Sequence, residues 1–380
     1  MLGATLGVHV GPVVPQALPS HLVDAVEQVS ITHQDEGRSG FQLTLVASRD
    51  QATGAADYAI LDQGTFRIGN RLQLTARVGA RTHVLADGII TTVQLAPGEE
   101  PNASRLTVTG EDLAVMLDLH EVSLPFPGMA DWHIAGLILG GFAGLGVVPM
   151  VIPEPSPLVK LPTDSIPHKT GTFLGILNQM AQRWGYVFYV EPGPTRGMNT
   201  AYWGPPIRAG FPQKALTWQM GPHGNLGSIS FNSDGTKPTM VYGLVQEERS
   251  NAPVPILGIP YTGQPMAAVP SYAGNAPFVG LKRLEPDEGG DAITALWKAT
   301  GEVYRSNKAA VTASGELDVA RYGDVLKARA LVDVRGVGRT MGGTWYVQST
   351  THTITRGSWK QSFSLEREGT RALSSTVAQV

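Results

Sequence analysis

Apolar and polar residues alternate over the first third of the chain with the period of a half-buried strand. Phe41, Leu43 and Leu45 alternate with Gln42 and Thr44. Further strand-like runs follow Val26, Val29 and Ile31, at 70–78, 82–95 and 104–109, with turn clusters such as Ala96-Pro-Gly-Glu-Glu-Pro-Asn102 between them. This spacing predicts antiparallel β structure closing as a barrel or curved sheet.

The period then changes. Thr109-Gly-Glu-Asp112 is a capping signal, and it predicts a short helix with Leu113, Met116 and Leu117 on one side. Phe173, Ile176, Leu177, Met180, Ala181 and Trp184 fall at i, i+3, i+4, i+7, i+8 and i+11. They predict a helix starting near Thr172 and ending at Gly185, followed by the strand Tyr186-Val-Phe-Tyr-Val190. Strands resume near 227–231 and 239–247. Residues 250–290 are rich in Pro, Gly and Ala, poor in periodicity, and read as a surface arm. A third helix is expected over 291–306, with Ala292, Ala295, Leu296, Ala299 and Val303 on one face and Asp291 as its cap. The last sixth, from Gly315 to Arg367, reads as strands with turns at Gly336/Gly338, Gly342-Gly343 and Gly357-Ser358.

The expected class is mainly β with an α/β insert (α+β): two β-barrel domains, a small α/β domain and a Pro/Gly-rich arm. The boundaries are 1–120 for the first β domain, 121–224 for the insert, 225–249 with 307–370 for the second β domain, and 250–306 for the arm and helix. No fixed-period repeat is present.

Trp132 to Ile152 tests this picture, because its 21 residues contain no Asp, Glu, Lys or Arg. That length could span a bilayer. Five glycines and Pro149 interrupt it, and no basic flank lies near. A buried core helix with Ile134, Leu137, Ile138 and Phe142 on one face, then a Gly-rich turn, is the expectation, with no membrane insertion. No Lys or Arg precedes His21, so no secretory signal is expected either.

Composition narrows the function. Of 380 residues, 42% are hydrophobic, which makes a sizeable core, and 16% are charged, below the usual quarter. Gly (45) and Pro (27) approach a fifth of the chain, as in β-rich proteins covered by partners. The net charge of −3 and the lack of a basic run argue against nucleic-acid binding. With no cysteine, disulfides and thiol chemistry are excluded.

Chemical motifs fail one by one. The glycines of Gly141-Phe-Ala-Gly144-Leu-Gly146 sit at a helix end rather than between strand and helix. Nine scattered histidines form no zinc spacing; His352, His120 and His133 read as satisfied imidazoles. The acid pairs 35–36, 99–100, 111–112 and 247–248 read as solvated charges rather than an acid/base couple. The seven tryptophans are dispersed, although Trp203 and Trp218 share one loop region, and no Gly-x-Ser-x-Gly elbow occurs. No catalytic, cofactor-binding or metal-binding residue is expected. Arg335 and Arg339 on one turn, with Arg356 and Lys360 on another, are the candidate interface residues.

Asp87-Gly-Ile-Ile-Thr91 with Leu106-Thr-Val-Thr-Gly-Glu-Asp112, then 172–190, then 315–367, form an ordered series. In that order these segments resemble the late control protein D family, the baseplate hubs of contractile phage tails and phage-tail-like injection systems. The 87–91 and 106–112 runs look like that family's first barrel leading into its capped helix. The 172–190 helix and strand look like its next unit, and 315–367 like its closing barrel. The resemblance implies two tube-protein-like barrels per chain, a homotrimer forming a pseudo-hexameric ring, and a non-enzymatic role. The ring would join a three-fold, VgrG-like spike to a six-fold inner tube, beside other baseplate components. It would be assembled in the bacterial cytoplasm and carried in a particle. A particle-associated cell-wall hydrolase at the tail tip is the alternative.

Overall fold

The structure is a computed structural model that describes residues 5–48, 58–62, 64–99, 103–155, 163, 166–247, 251–259, 264–274, 276–284 and 292–373. Thirteen strands, from both ends of the chain, join one sheet. Its order runs Leu226–Ser233, Val311–Asp318, Ser358–Arg367, Gly343–Thr355, Val26–Gln34, Gly40–Val46, Arg105–Asp112, Arg81–Ala96, Arg71–Val78, Thr5–Gly11 and Gln16–Ala17. Leu331–Arg335 branches from Gly343–Thr355 and carries Gln213–Thr217 in parallel.

The two β units expected from sequence meet at a seam. Gly343–Thr355 pairs antiparallel with Val26–Gln34, from Ser349 opposite Gln34 to Thr355 opposite Gln28. The Thr32 and Thr351 hydroxyls lie 3.1 Å apart across it. Val26–Gln34 thus has both edges filled, by Gly40–Val46 on one side and by the other half of the sheet on the other. Among the described residues the strand order runs open from end to end, and no pairing closes a barrel in either half. Inward side chains of both halves share one core, in which Ile31, Leu43, Leu74 and Ile90 join Val311, Trp345, Val347 and Leu365. Area removed from water is the main favourable term here, at roughly 25 cal/mol per Å².

The insert has its own core. Helices Asp131–Gly140 and Phe173–Trp184 pack on a three-stranded sheet of Val187–Pro192, Asn199–Gly204 and Val147–Val151. Trp132–Ile152 is thus a ten-residue helix, a 3-10 turn at Ala143–Leu145 and a strand. Among the described residues no helix is long and apolar enough to cross a membrane. The buried face is Ile134, Ala135, Ile138 and Leu139. Leu137, expected inside, is exposed, because a 3.6-residue period carries it to the far side of that stripe.

The Phe173–Trp184 helix has the expected ends. The Thr172 hydroxyl accepts from the Gly175 amide at 3.1 Å, and Gly185 closes the helix at φ +69°. The Thr109–Asp112 capping signal does precede a helical turn, Leu113–Asp118, but that turn is 3-10 and its cap is Asp112, because Thr109 still lies in the Arg105–Asp112 strand.

The arm is more ordered than its composition suggested. Pro253–Leu257, Thr239–Gln246 and Gly280–Arg283 form a separate sheet. Helix Ala292–Asn307 covers one face of it through Val241, Ile256, Leu284, Ala295, Ala299 and Val303. Residues 225–249 therefore split: Leu226–Ser233 stays in the large sheet, whereas Thr239–Gln246 goes with the arm. An Asp234 turn, whose carboxylate accepts from the Thr236 amide and hydroxyl, separates the two strands. Asp291 lies outside the described residues; the Glu247 carboxylate accepts the Ala292 amide at 3.0 Å.

Candidate functional site

Several buried ionisable groups hold the parts together. Arg208, from the loop after the insert sheet, is buried and paired with Glu366. Its guanidinium lies over the Tyr346 ring at 4.4 Å and near the Tyr304 ring at 5.3 Å. Burial pushes the Tyr304 phenol up to about 12 and the Tyr346 phenol higher still. Lys308, at the end of the arm helix, reaches Glu36 at 2.6 Å and Asp35 at 3.4 Å. Arg329 sits 4.0 Å over Tyr189 and 3.6 Å from Glu191, both in the insert. The junction thus ties both halves of the sheet, the insert and the arm to one another.

Arg367 shows how such a charge is buried. It gives three N–H bonds, at 2.8, 2.9 and 3.0 Å, to the carbonyls of Gly369, Gly342 and Thr340, and lies 4.3 Å from the Trp345 ring. Burial lowers it to about 10. A buried charge is tolerated only when its donors are satisfied in this way.

Acids of three of the four pairs tested in the sequence have a local task. Glu111 binds Arg38 at 2.7 Å. Asp112 accepts the Ser39 and Ala114 amides, and burial still pushes its carboxyl up to about 6. Asp35 and Glu36 bind Lys308, and Glu247 caps the arm helix. Glu99 is exposed, and Glu100 and Glu248 lie outside the described residues. Trp203 is fully buried and donates to the Leu177 carbonyl. Among the described residues no group of three or more His, Asp or Glu could hold a metal ion.

Backbone arrangement carries the comparison with known proteins. No family model matches the chain, and no curated protein matches it. Solved structures do. A tail protein from Neisseria meningitidis MC58 superposes with a TM-score of 0.65 at 14% identity, over 96% of this chain and 97% of that one. The 43 kDa tail protein of prophage MuSo2 from Shewanella oneidensis gives 0.64 at 12% identity, over 96% and 99%. This chain has the fold of phage tail proteins. A chain of the Francisella PdpA–VgrG complex, half-lidded, gives 0.58 at 7% identity, covering all of this chain and 60% of that one.

On this tail-protein fold the four candidate interface residues fall into two groups. Arg335 ends the Leu331–Arg335 strand, and Arg339 is exposed on Gly338–Met341. Arg356 and Lys360 lie on the hairpin beyond Thr355, where Arg356 donates to the Asp24 carbonyl and Lys360 bridges Glu316 at 2.9 Å. The two groups adjoin opposite ends of the 13-residue strand Gly343–Thr355.

Two exposed features go beyond what the sequence predicts. The outer face of the small sheet carries Tyr242 (49% exposed), Leu244 (70%), Leu257 (56%) and Leu281 (75%). Its signal was present: Met240, Val241, Tyr242, Leu244 and Val245 place apolar groups on both faces of one strand. The second feature is the outer edge of Leu226–Ser233, which contains neither a charge nor a proline and pairs only with Val311–Asp318 among the described residues. Pro253 and Pro255, by contrast, blunt the edge of the small sheet.

Proposed function

We propose that this chain is a structural hub subunit in the baseplate of a contractile phage tail or phage-tail-like injection particle, and that its activity is binding. The end-to-end correspondence with two phage tail proteins is the observation that carries this reading. Three copies would close a ring. The two halves of the large sheet would then stand as two tube-like units per chain, six around the axis. Such a ring matches a six-fold inner tube on one side and a three-fold spike on the other, and closed symmetry removes free strand edges.

The fold shared with a chain of the PdpA–VgrG complex supports a VgrG-like spike as one partner. Charged groups spent in internal pairs, with an apolar sheet face left exposed, support extensive contacts with other baseplate components. In such a ring Arg335 with Arg339 would serve one face, and Arg356 with Lys360 the other. Assembly would precede release, in the bacterial cytoplasm, and no reaction is required of the chain.

Native mass spectrometry of the purified chain, alone and co-expressed with its spike and tube partners, tests the reading. Three copies per complex are expected. A monomer under both conditions at micromolar concentration would overturn it.

A further inference from the structure

Three imidazoles converge where the two halves of the large sheet meet. His33 lies on Val26–Gln34, His352 on Gly343–Thr355 and His83 on Arg81–Ala96. The His33 and His352 rings meet edge to face, with centroids 5.6 Å apart and planes at 89°. His352 is almost wholly buried.

Both nitrogens of His352 face N–H groups. The Trp359 indole, which can only donate, points at Nδ1 from 3.3 Å. The Gln361 amide is oriented by Leu326, whose N–H it accepts at 3.0 Å and whose carbonyl it donates to at 2.8 Å. Its nitrogen, carrying hydrogens, is therefore the atom 3.4 Å from His352 Nε2. A neutral imidazole can accept one of these bonds. An imidazolium has two N–H groups and no acceptor, so it can take neither.

The surroundings disfavour positive charge at each ring. Burial lowers His33 to about 4, and the Arg329 cation adds to this against a backbone contact from Leu85. His352 is held well below the ordinary value by burial and by the other two rings. His83 is lowered by burial and by Lys327 and Arg81, while Asp324, 3.4 Å from Nε2, works the other way.

We propose that these imidazoles form an acid-operated latch on the seam joining the two halves of the sheet: neutral rings hold it shut, and protonation opens it. In an opened chain His33 takes its proton near 6.5, whereas in the closed sheet it does so at about 4. Between these values the open form binds more protons, so the seam weakens as the pH falls. His33 alone changes the opening constant by up to about tenfold per pH unit in this window, and the lowered His352 acts in the same direction. Asp112, held up to about 6 and facing Arg329, acts in the opposite sense, because the closed form keeps its proton more readily below that value. One carboxyl thus offsets part of what the rings do.

Amide exchange of the full chain between pH 7.5 and 4.5, corrected for intrinsic rates, tests the latch. Protection across the seam, at residues 28–34 and 349–355, should fall by about tenfold or more over the range from pH 6.5 to 4.5, relative to the Phe173–Trp184 helix. The His33→Gln/His352→Gln double variant should lose most of that slope. Imidazole resonances of the unmodified chain provide a check that needs no variant. His33 and His352 should stay neutral down to pH 5 while the sheet is intact. Seam protection that does not change with pH, or rings that titrate near 6.5 in the closed sheet, would overturn the proposal.

Discussion

Arg71 lies bidentate on Asp87, its Nε 2.6 Å from one carboxylate oxygen and its Nη2 2.7 Å from the other. The same carboxylate accepts from Gln73 at 2.8 Å and from Asn199 of the insert at 2.9 Å. Arg71 in turn donates to the insert carbonyls of Leu145 and Gly197. One ion pair therefore fixes the insert on the first half of the large sheet.

Breaking that pair should be costly. Asp87→Ala leaves a buried guanidinium unpaired, and a loss of about 3–5 kcal/mol is expected in chemical denaturation. The Arg71→Met/Asp87→Leu double variant should recover much of this loss, because it leaves neither charge behind. A double variant as unstable as the single one would contradict that account.

The helix cap at Thr172 has two bonds to lose. Its hydroxyl accepts the Gly175 amide and donates to Asp118 at 2.7 Å. Thr172→Ala should cost about 1–2 kcal/mol, whereas Thr172→Ser should stay close to the parent in thermal melts.

Gly301 reverses a common rule. Gly to Ala in a helix usually stabilises by about 1 kcal/mol. Here an added Cβ would sit 2.9 Å from the Gly185 Cα and N, backbone that cannot yield cheaply. Gly301→Ala is therefore expected to destabilise by about 1–3 kcal/mol. A rise in melting temperature would show that the two helices do not need this approach.

The outer face of the small sheet should matter for assembly and not for folding. Leu244→Lys and Leu281→Glu replace exposed side chains, so the isolated chain should keep its stability within about 0.5 kcal/mol. Incorporation into particles, followed by co-purification with partners, should fall. Normal incorporation of both variants would remove this face from the proposed contacts.

Local patterns proved legible wherever a segment decides its own structure. The Phe173–Trp184 helix carries its apolar stripe, its Thr172 cap and its terminal Gly185 within fourteen residues. The alternation of Phe41, Leu43 and Leu45 likewise announces their buried face. The exposed Leu137 and the two-sided strand Thr239–Gln246 were harder to read, since apolar residues on both faces of an element do not say which face will be covered.

The β-rich class, an α/β insert and the Phe173–Trp184 helix with both its ends were written in the sequence, as was a resemblance consistent with the tail-protein fold of the superpositions. Only the tertiary structure decided that the two β units form one sheet over one core, because the pairing of Val26–Gln34 with Gly343–Thr355 spans more than 300 residues. Local propensity carries no information about such a partner: strand edges are chemically alike, and register is set by which side chains meet across them. The meeting of His33 with His352, and of Arg208 with Glu366, is a consequence of that pairing and of the packing around it. No spacing along the chain encodes either contact.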